Sequence, residues 1–227
     1  MQETRWNGQL QRMSNRRPLI NSDLILHLAS LGDVVPLDFT LDVDLIQEQL
    51  KPFDDEWKQY NPRKPNDRQG LSITSLDGGL SGIPDLDSIF EYNKLHNTHV
   101  SEAEINVKTR VAEQVTAIHP LIDKFNLGRS HFIRLNRGGH FPPHRDGKIL
   151  GVTCFRVLTM CHNCKDGQFQ FTLEDKVYSF EPGRPYFVNT RKNHNVFSFV
   201  DNSVQCVLNL PLTEENYNCV VKHLQMK

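Results

Sequence analysis

The chain has 227 residues and a mass of 26.2 kDa, long enough to bury a full core as one folded unit. Its 26 lysines and arginines stand against 27 aspartates and glutamates, a formal net charge of -1, which excludes a global electrostatic attraction to nucleic acid or to an anionic membrane. No run approaches the roughly 18 apolar residues a bilayer span requires, and the start, MQETRWNGQLQRMSNRRPLINS, has no apolar leader region, so a cytoplasmic chain without membrane partners is expected.

In chain order, residues 1–127 read as a helical and loop-rich portion. Leu45, Ile46, Leu50, Phe53 and Trp57 fall at helical spacing, with Pro52 set to kink or split the element. A long loop rich in Gly, Pro, Asn and Asp follows, with a short strand at LSIT. Ser101, Glu102 and Glu104 then form a capped start for a helix carrying Ile105, Val111, Val115, Ile118 and Ile122 on its apolar face. Beyond Gly128 the texture becomes β-like. SHFIRLN, TCFRVLTM, QFQFTL, KVYSFE, PYFVN, NVFSFV and VQCVLNL are short strands separated by Gly, Pro and Asp turns. A mainly β fold with a helical buttress is therefore expected, a sandwich or jelly roll over 128–212 on which 1–127 packs as part of a single domain, followed by a tail at 213–227.

Five cysteines without a secretory leader argue for reduced thiols. The CHNC run at 161–164 is a lone pair; a structural zinc site needs a second. It is read as a turn between strands, dispensable for folding.

The chemistry concentrates in HFIRLNRGGHFPPHRDG, residues 131–147. If the segment stays extended, His144 and Asp146 point the same way from one strand end. A distant histidine, His194, precedes another strand and completes two imidazoles and one carboxylate. That set suits Fe(II), leaving adjacent positions for a chelating cosubstrate and O2. His131 and His140 are rival ligands; His140 is expected at the site mouth. The bland alternative is a surface turn with His194 capping a strand. His119 and His162 are read as packed or solvated.

FIRLNRGGHFPPHRD together with EPGRPYFVNTRKNHNVFSFVDNSVQCVLNLPL resembles the aspartyl/asparaginyl β-hydroxylase group of Fe(II)/2-oxoglutarate oxygenases, with its free-proline hydroxylases and phage-encoded relatives, over residues 129–212. The resemblance implies a double-stranded β-helix of cupin-like type, His144, Asp146 and His194 as iron ligands, and 2-oxoglutarate as cosubstrate. It implies hydroxylation of an amino acid, free or peptidyl Asp, Asn or Pro, with release of succinate and CO2. The wider superfamily places a basic residue about ten positions after the distal histidine, where this chain has Gln205 and no cation. Arg156, on an otherwise apolar strand, is the expected substitute anchor for the distal carboxylate, with Gln205 or Asn209 as weaker contacts. Asn189 is expected to orient the site. Arg134, Arg137, His140 and Arg145 are candidate substrate contacts; Arg134 and Arg137 alternatively pair with acidic residues of the helical layer. Two other classes stay open: a cupin-like metal enzyme without 2-oxoglutarate, which the missing cation favours, and a non-catalytic jelly-roll binding module.

Overall fold

The computed structural model describes residues 21–64, 67–146 and 153–224. The N-terminal stretch read for a leader therefore lies outside the described residues.

Helix α1 (Asn21–Leu31) leads to strand β1 (Val34–Pro36) and helix α2 (Val43–Leu50). The Asp42 side chain caps α2 by accepting from the Leu45 N–H at 3.0 Å. Pro52 has no N–H for the Glu48 carbonyl, and the chain tightens into a 3-10 turn over Lys51–Glu56, the split its position predicts. Strands β2 (Lys58–Gln59) and β3 (Arg68–Ser72) follow. The short β4 (Thr74–Ser75) pairs with β5 (Val107–Lys108), and helix α3 (Ile89–His96) lies between them.

The single amphipathic helix expected after Ser101 is not there. The Glu104 carboxylate does accept from the Ser101 N–H, at 2.7 Å, but only a turn follows. Val107 and Lys108 are taken by β4. Helix α4 (Arg110–Gln114) starts at Thr109, whose hydroxyl accepts from the Val111 N–H and donates to the Ser72 carbonyl. A 3-10 turn over Thr116–Ile118 and the one-turn α5 (His119–Ile122), with Pro120 in its first turn, complete the segment. Burial was nonetheless legible, since Ile105, Val111, Val115, Ile118 and Ile122 are all in the core.

The C-terminal half supplies β6 (His131–Leu135), β7 (His140–His144), β8 (Cys154–His162), β9 (Phe169–Leu173), β10 (Lys176–Tyr178), β11 (Pro185–Val188), β12 (His194–Ser198) and β13 (Ser203–Pro211). Helix α6 (Glu214–Lys222), capped by Thr213, occupies the expected tail. Two antiparallel sheets result, of order β1-β11-β8-β13-β6-β3-β2 and β10-β9-β12-β7. They face each other as a jelly roll. The N-terminal portion is more than a helical buttress, because β1, β2 and β3 extend the larger sheet at both edges.

Alternation along β8 divides the core. Phe155, Val157 and Cys161 face the helices. Leu158 and Met160 face the smaller sheet, meeting Phe169, Phe171, Leu173 and Val196. Each such fully buried side chain contributes about 1.5–3 kcal/mol. The Gly-Gly turn sets up β7: Gly138 has φ +83°, and a Cβ on Gly139 would lie 2.8 Å from the carbonyl oxygens of Asn136 and Asp67.

The CHNC run differs from its reading as a dispensable turn. Cys161 belongs to β8, and both Cys161 and Cys164 are buried. Burial pushes the Cys161 thiol up to about 12, the mark of an inert core cysteine. Cys161→Ser should cost about 1–3 kcal/mol through burial of a hydroxyl, read as a melting temperature several degrees lower with the metal content unchanged. Zinc that is lost with the substitution would refute this.

Candidate metal centre

His144 ends β7 and His194 begins β12, and the two are cross-strand partners beside a register shift. Their rings lie 4.2 Å apart, with His194 also stacked on Phe171. Each Nδ1 sits on a nearby carbonyl, His144 on Pro142 at 2.8 Å and His194 on Lys192 at 3.0 Å. With Nδ1 donating to those carbonyls, each Nε2 keeps its lone pair for a metal. Asp146 follows two residues after His144. Its backbone N–H donates to the Thr190 carbonyl at 2.9 Å, and its Oδ1 lies 3.5 Å from His144 Nε2. One ligand atom from each of His144, Asp146 and His194 falls within 4.8 Å of the others.

A network of charges sits behind the triad. Arg156 Nε reaches Asp146 Oδ2 at 3.2 Å, and its Nη2 reaches Glu102 Oε2 at 2.9 Å. Arg129 Nη1 contacts Glu102 Oε1 at 2.7 Å, while its other nitrogens donate to the Asp85 carbonyl and the Tyr60 hydroxyl. Burial pushes the Asp146 carboxyl up. The Arg156 guanidinium more than reverses this and leaves it well below the usual carboxylate range. Asp146 is thus held as the anion a metal needs. For His194, burial lowers the pKa and favours the neutral, ligating form.

Before the triad opens a cavity with about 130 Å³ of solvent-reachable space, walled by Tyr60, Phe141 and Phe171 among others. Its floor is polar. His131 Nδ1, Gln205 Nε2 and Asn209 Oδ1 are buried there without partners, on residues exposed by only 3%, 4% and 2%. Buried polar atoms are rarely left so, and three on one cavity floor mark room for a polar ligand. Two imidazoles, one carboxylate and this open, polar-lined side together fit a metal that takes a chelating cosubstrate.

The other expected site residues are spread more widely. Arg156 is inside the barrel, with its Nε on Asp146 and its Nη2 on Glu102. Asn189 lines a small cleft beside Asp146, with its backbone N–H on the Asp33 carbonyl. Arg134 projects from the opposite face of β6, bonded to Gln69 and Asp54 and lying 4.3 Å over the Trp57 ring, the acidic-layer alternative. Arg137 is exposed in the turn after β6, and Arg145 is exposed between the ligands, so neither lines the cavity. His140 begins β7, about 13 Å along the strand from His144 by rise per residue, and stacks on Phe197. The rival His131 is near the triad but in the cavity floor. Glu102 and Arg129 carried no readable signal, since Glu102 resembled an ordinary helix-start acid.

His131 also reports on pH. Burial, then Arg129 and Arg156, push its pKa well below 6.5, so the folded chain holds it neutral. The unfolded chain binds this proton first. Stability from His131 is therefore complete above about pH 6.5 and declines as pH falls through that value, at up to about 1.4 kcal/mol per unit. Urea unfolding at pH 7.5 and 5.5 should show a loss of about 1 kcal/mol from this residue, which His131→Asn should remove. An unchanged slope in the variant would assign the loss elsewhere.

No protein-family model and no curated protein matches the sequence. Among solved structures, the chain is similar to a prolyl hydroxylase from Trichoplax adhaerens in complex with a hypoxia inducible factor peptide fragment, at 13% identity and TM-score 0.46, over 99% of both chains. A Pseudomonas putida prolyl-4-hydroxylase is 14% identical with TM-score 0.45, over 85% of this chain and 98% of that one. A 2OG-Fe(II) oxygenase family oxidoreductase from Burkholderia pseudomallei is 15% identical with TM-score 0.41, over 86% and 92%. At such distances the chemistry has to be read from this chain's own residues.

Proposed function

We propose that the protein is an Fe(II)- and 2-oxoglutarate-dependent dioxygenase that hydroxylates an amino acid, free or in a peptide, with Asp, Asn or Pro as the target class. The observation that carries this is the convergence of one ligand atom from each of His144, Asp146 and His194 beside a cavity with an unsatisfied polar floor. The motif FIRLNRGGHFPPHRD supports the aspartyl/asparaginyl β-hydroxylase group within that class.

Fe(II) and 2-oxoglutarate, when bound, would activate O2 for C–H hydroxylation, one oxygen atom going to the substrate carbon and the other to succinate as CO2 leaves. The chain's own contribution is positioning and exclusion of water. His144, Asp146 and His194 would hold the metal. Gln205, with His131 as its Nδ1–H tautomer, would donate to a carboxylate of the cosubstrate. Phe141 and Tyr60, packed edge to face at 5.5 Å, wall the substrate side.

Anaerobic loading with Fe(II) and 2-oxoglutarate, followed by O2 and a screen of amino acids and peptides, should yield succinate in step with hydroxylated product. Gln205→Leu should raise the apparent Michaelis constant for 2-oxoglutarate about tenfold, the equivalent of one bond near 1.4 kcal/mol. A chain that binds Fe(II) yet makes no succinate would favour a second reading, a cupin-like metal enzyme without 2-oxoglutarate. One observation supports that reading: both arginines lining the cavity, Arg129 and Arg156, are already paired with Glu102.

A further inference from the structure

We infer that Glu102 is a positioning residue for the metal centre, acting through Arg156 to hold the Asp146 carboxylate in its ligating orientation. The inference rests on the reading of His144, Asp146 and His194 as the metal site. Its basis is an alternating row of charges, Arg129–Glu102–Arg156–Asp146, joined by contacts of 2.7, 2.9 and 3.2 Å.

The geometry divides the Arg156 guanidinium between two carboxylates. Nη2 takes both oxygens of Glu102, at 2.9 and 3.2 Å, which turns Nε toward Asp146 Oδ2. Asp146 consequently offers its other oxygen, Oδ1, to the side where His144 Nε2 lies. A fork with both arms on Asp146 would instead compete with a metal for both oxygens, because bidentate Arg–carboxylate pairing is the strong geometry. Glu102 prevents this by occupying one arm.

Glu102 also sets the charge. The row sums to zero, whereas without Glu102 two guanidiniums would face the metal site against a single carboxylate. A divalent cation would then bind in an unbalanced positive field of low dielectric. Glu102 is itself fixed. Its backbone carbonyl accepts from the Arg129 N–H at 2.8 Å, so this loop of the N-terminal portion is stitched to the start of β6. Burial pushes the Glu102 carboxyl up, and Arg156 and Arg129 outweigh it to leave the group ionised.

The test is Co(II) titration of the metal-free full chain, followed by the cobalt visible absorption band and by calorimetry. Glu102→Gln should weaken Co(II) binding about tenfold to a hundredfold, the usual effect of losing a partner behind a ligand, and should shift the band. In an Arg156→Gln background the same change should cost less than about threefold, since the arm through which Glu102 acts is gone; this non-additivity identifies the relay. If Glu102→Gln does not fold, Glu102→Asp decides, because it keeps the charge but falls short of Arg156 and should still lose affinity. Equal losses in both backgrounds, or wild-type affinity in Glu102→Gln or Glu102→Asp, would overturn the inference. So would unchanged Co(II) affinity with tighter 2-oxoglutarate binding in Glu102→Gln, which would make Glu102 a stand-in for the cosubstrate's carboxylate. Wild-type chain that binds no Co(II) would overturn the metal site as well, and the two failures are thereby distinguished.

Discussion

Alanine at His144, Asp146 or His194 is expected to abolish Fe(II)-dependent turnover, each for the same reason. In the proposed site three protein atoms, one from each of these residues, would hold the metal, and losing one would remove a third of the protein's coordination. The loss in affinity should exceed the tenfold to hundredfold that partners behind the ligands typically cost. The three variants should differ in stability. His144 is half-exposed at a strand end, and its loss should leave folding nearly intact. Asp146→Ala removes one of the two carboxylates on a buried guanidinium and should lower the melting temperature as well. His140→Ala is the control, because its ring stacks on Phe197 away from the triad. Metal content by elemental analysis, together with turnover, checks the set. Iron retained by His144→Ala and lost by His140→Ala would move the ligand to the other end of β7.

The largest effect on stability should come from Arg129→Met. Arg129 is buried, and its side chain binds Glu102, the Asp85 carbonyl and the Tyr60 hydroxyl together. Removing one partner of a buried ion pair costs about 3–5 kcal/mol, because the other charge stays buried. For a chain of this size each kcal/mol lowers the melting temperature by about 2–4 °C, so a fall of about 6–20 °C is expected. Adding Glu102→Gln should not recover it, because Glu102 keeps its Arg156 partner when Arg129 is lost, and removing that carboxylate leaves Arg156 with Asp146 alone. Urea unfolding of wild type, both single variants and the double variant measures the coupling. A single-variant cost below about 1 kcal/mol would mean that solvent reaches the network and screens it.

What could be read along the chain was whatever depends on near neighbours. Short β-like runs marked seven of the eight described strands after Gly128, all but β7, Pro52 marked the break after α2, and His-x-Asp put two candidate ligands beside one strand end. Even where the element was misread, as at 101–125, the apolar positions were the buried ones, because burial follows hydrophobicity more closely than it follows helix or strand. The misreading has a tertiary cause: β4 claims Val107 and Lys108 as a partner strand, and the Ser72 carbonyl holds Thr109 where α4 begins. Pairing across the fold also decided the roles of the arginines. Strand alternation allowed Arg156 to face either way, and only the register of β8 with β13, which sets Arg156 opposite Asn209, turns it inward. Arg134 presented the same ambiguity and went outward, to Trp57 and Asp54. Glu102 lies 54 residues from Arg156 and 27 from Arg129, and nothing in its local sequence distinguishes it from a helix-capping acid. A charge relay of this kind exists only once the loop bearing Glu102 is folded against the barrel, since its Coulombic coupling depends on separation in space and on exclusion of water, neither of which is encoded locally.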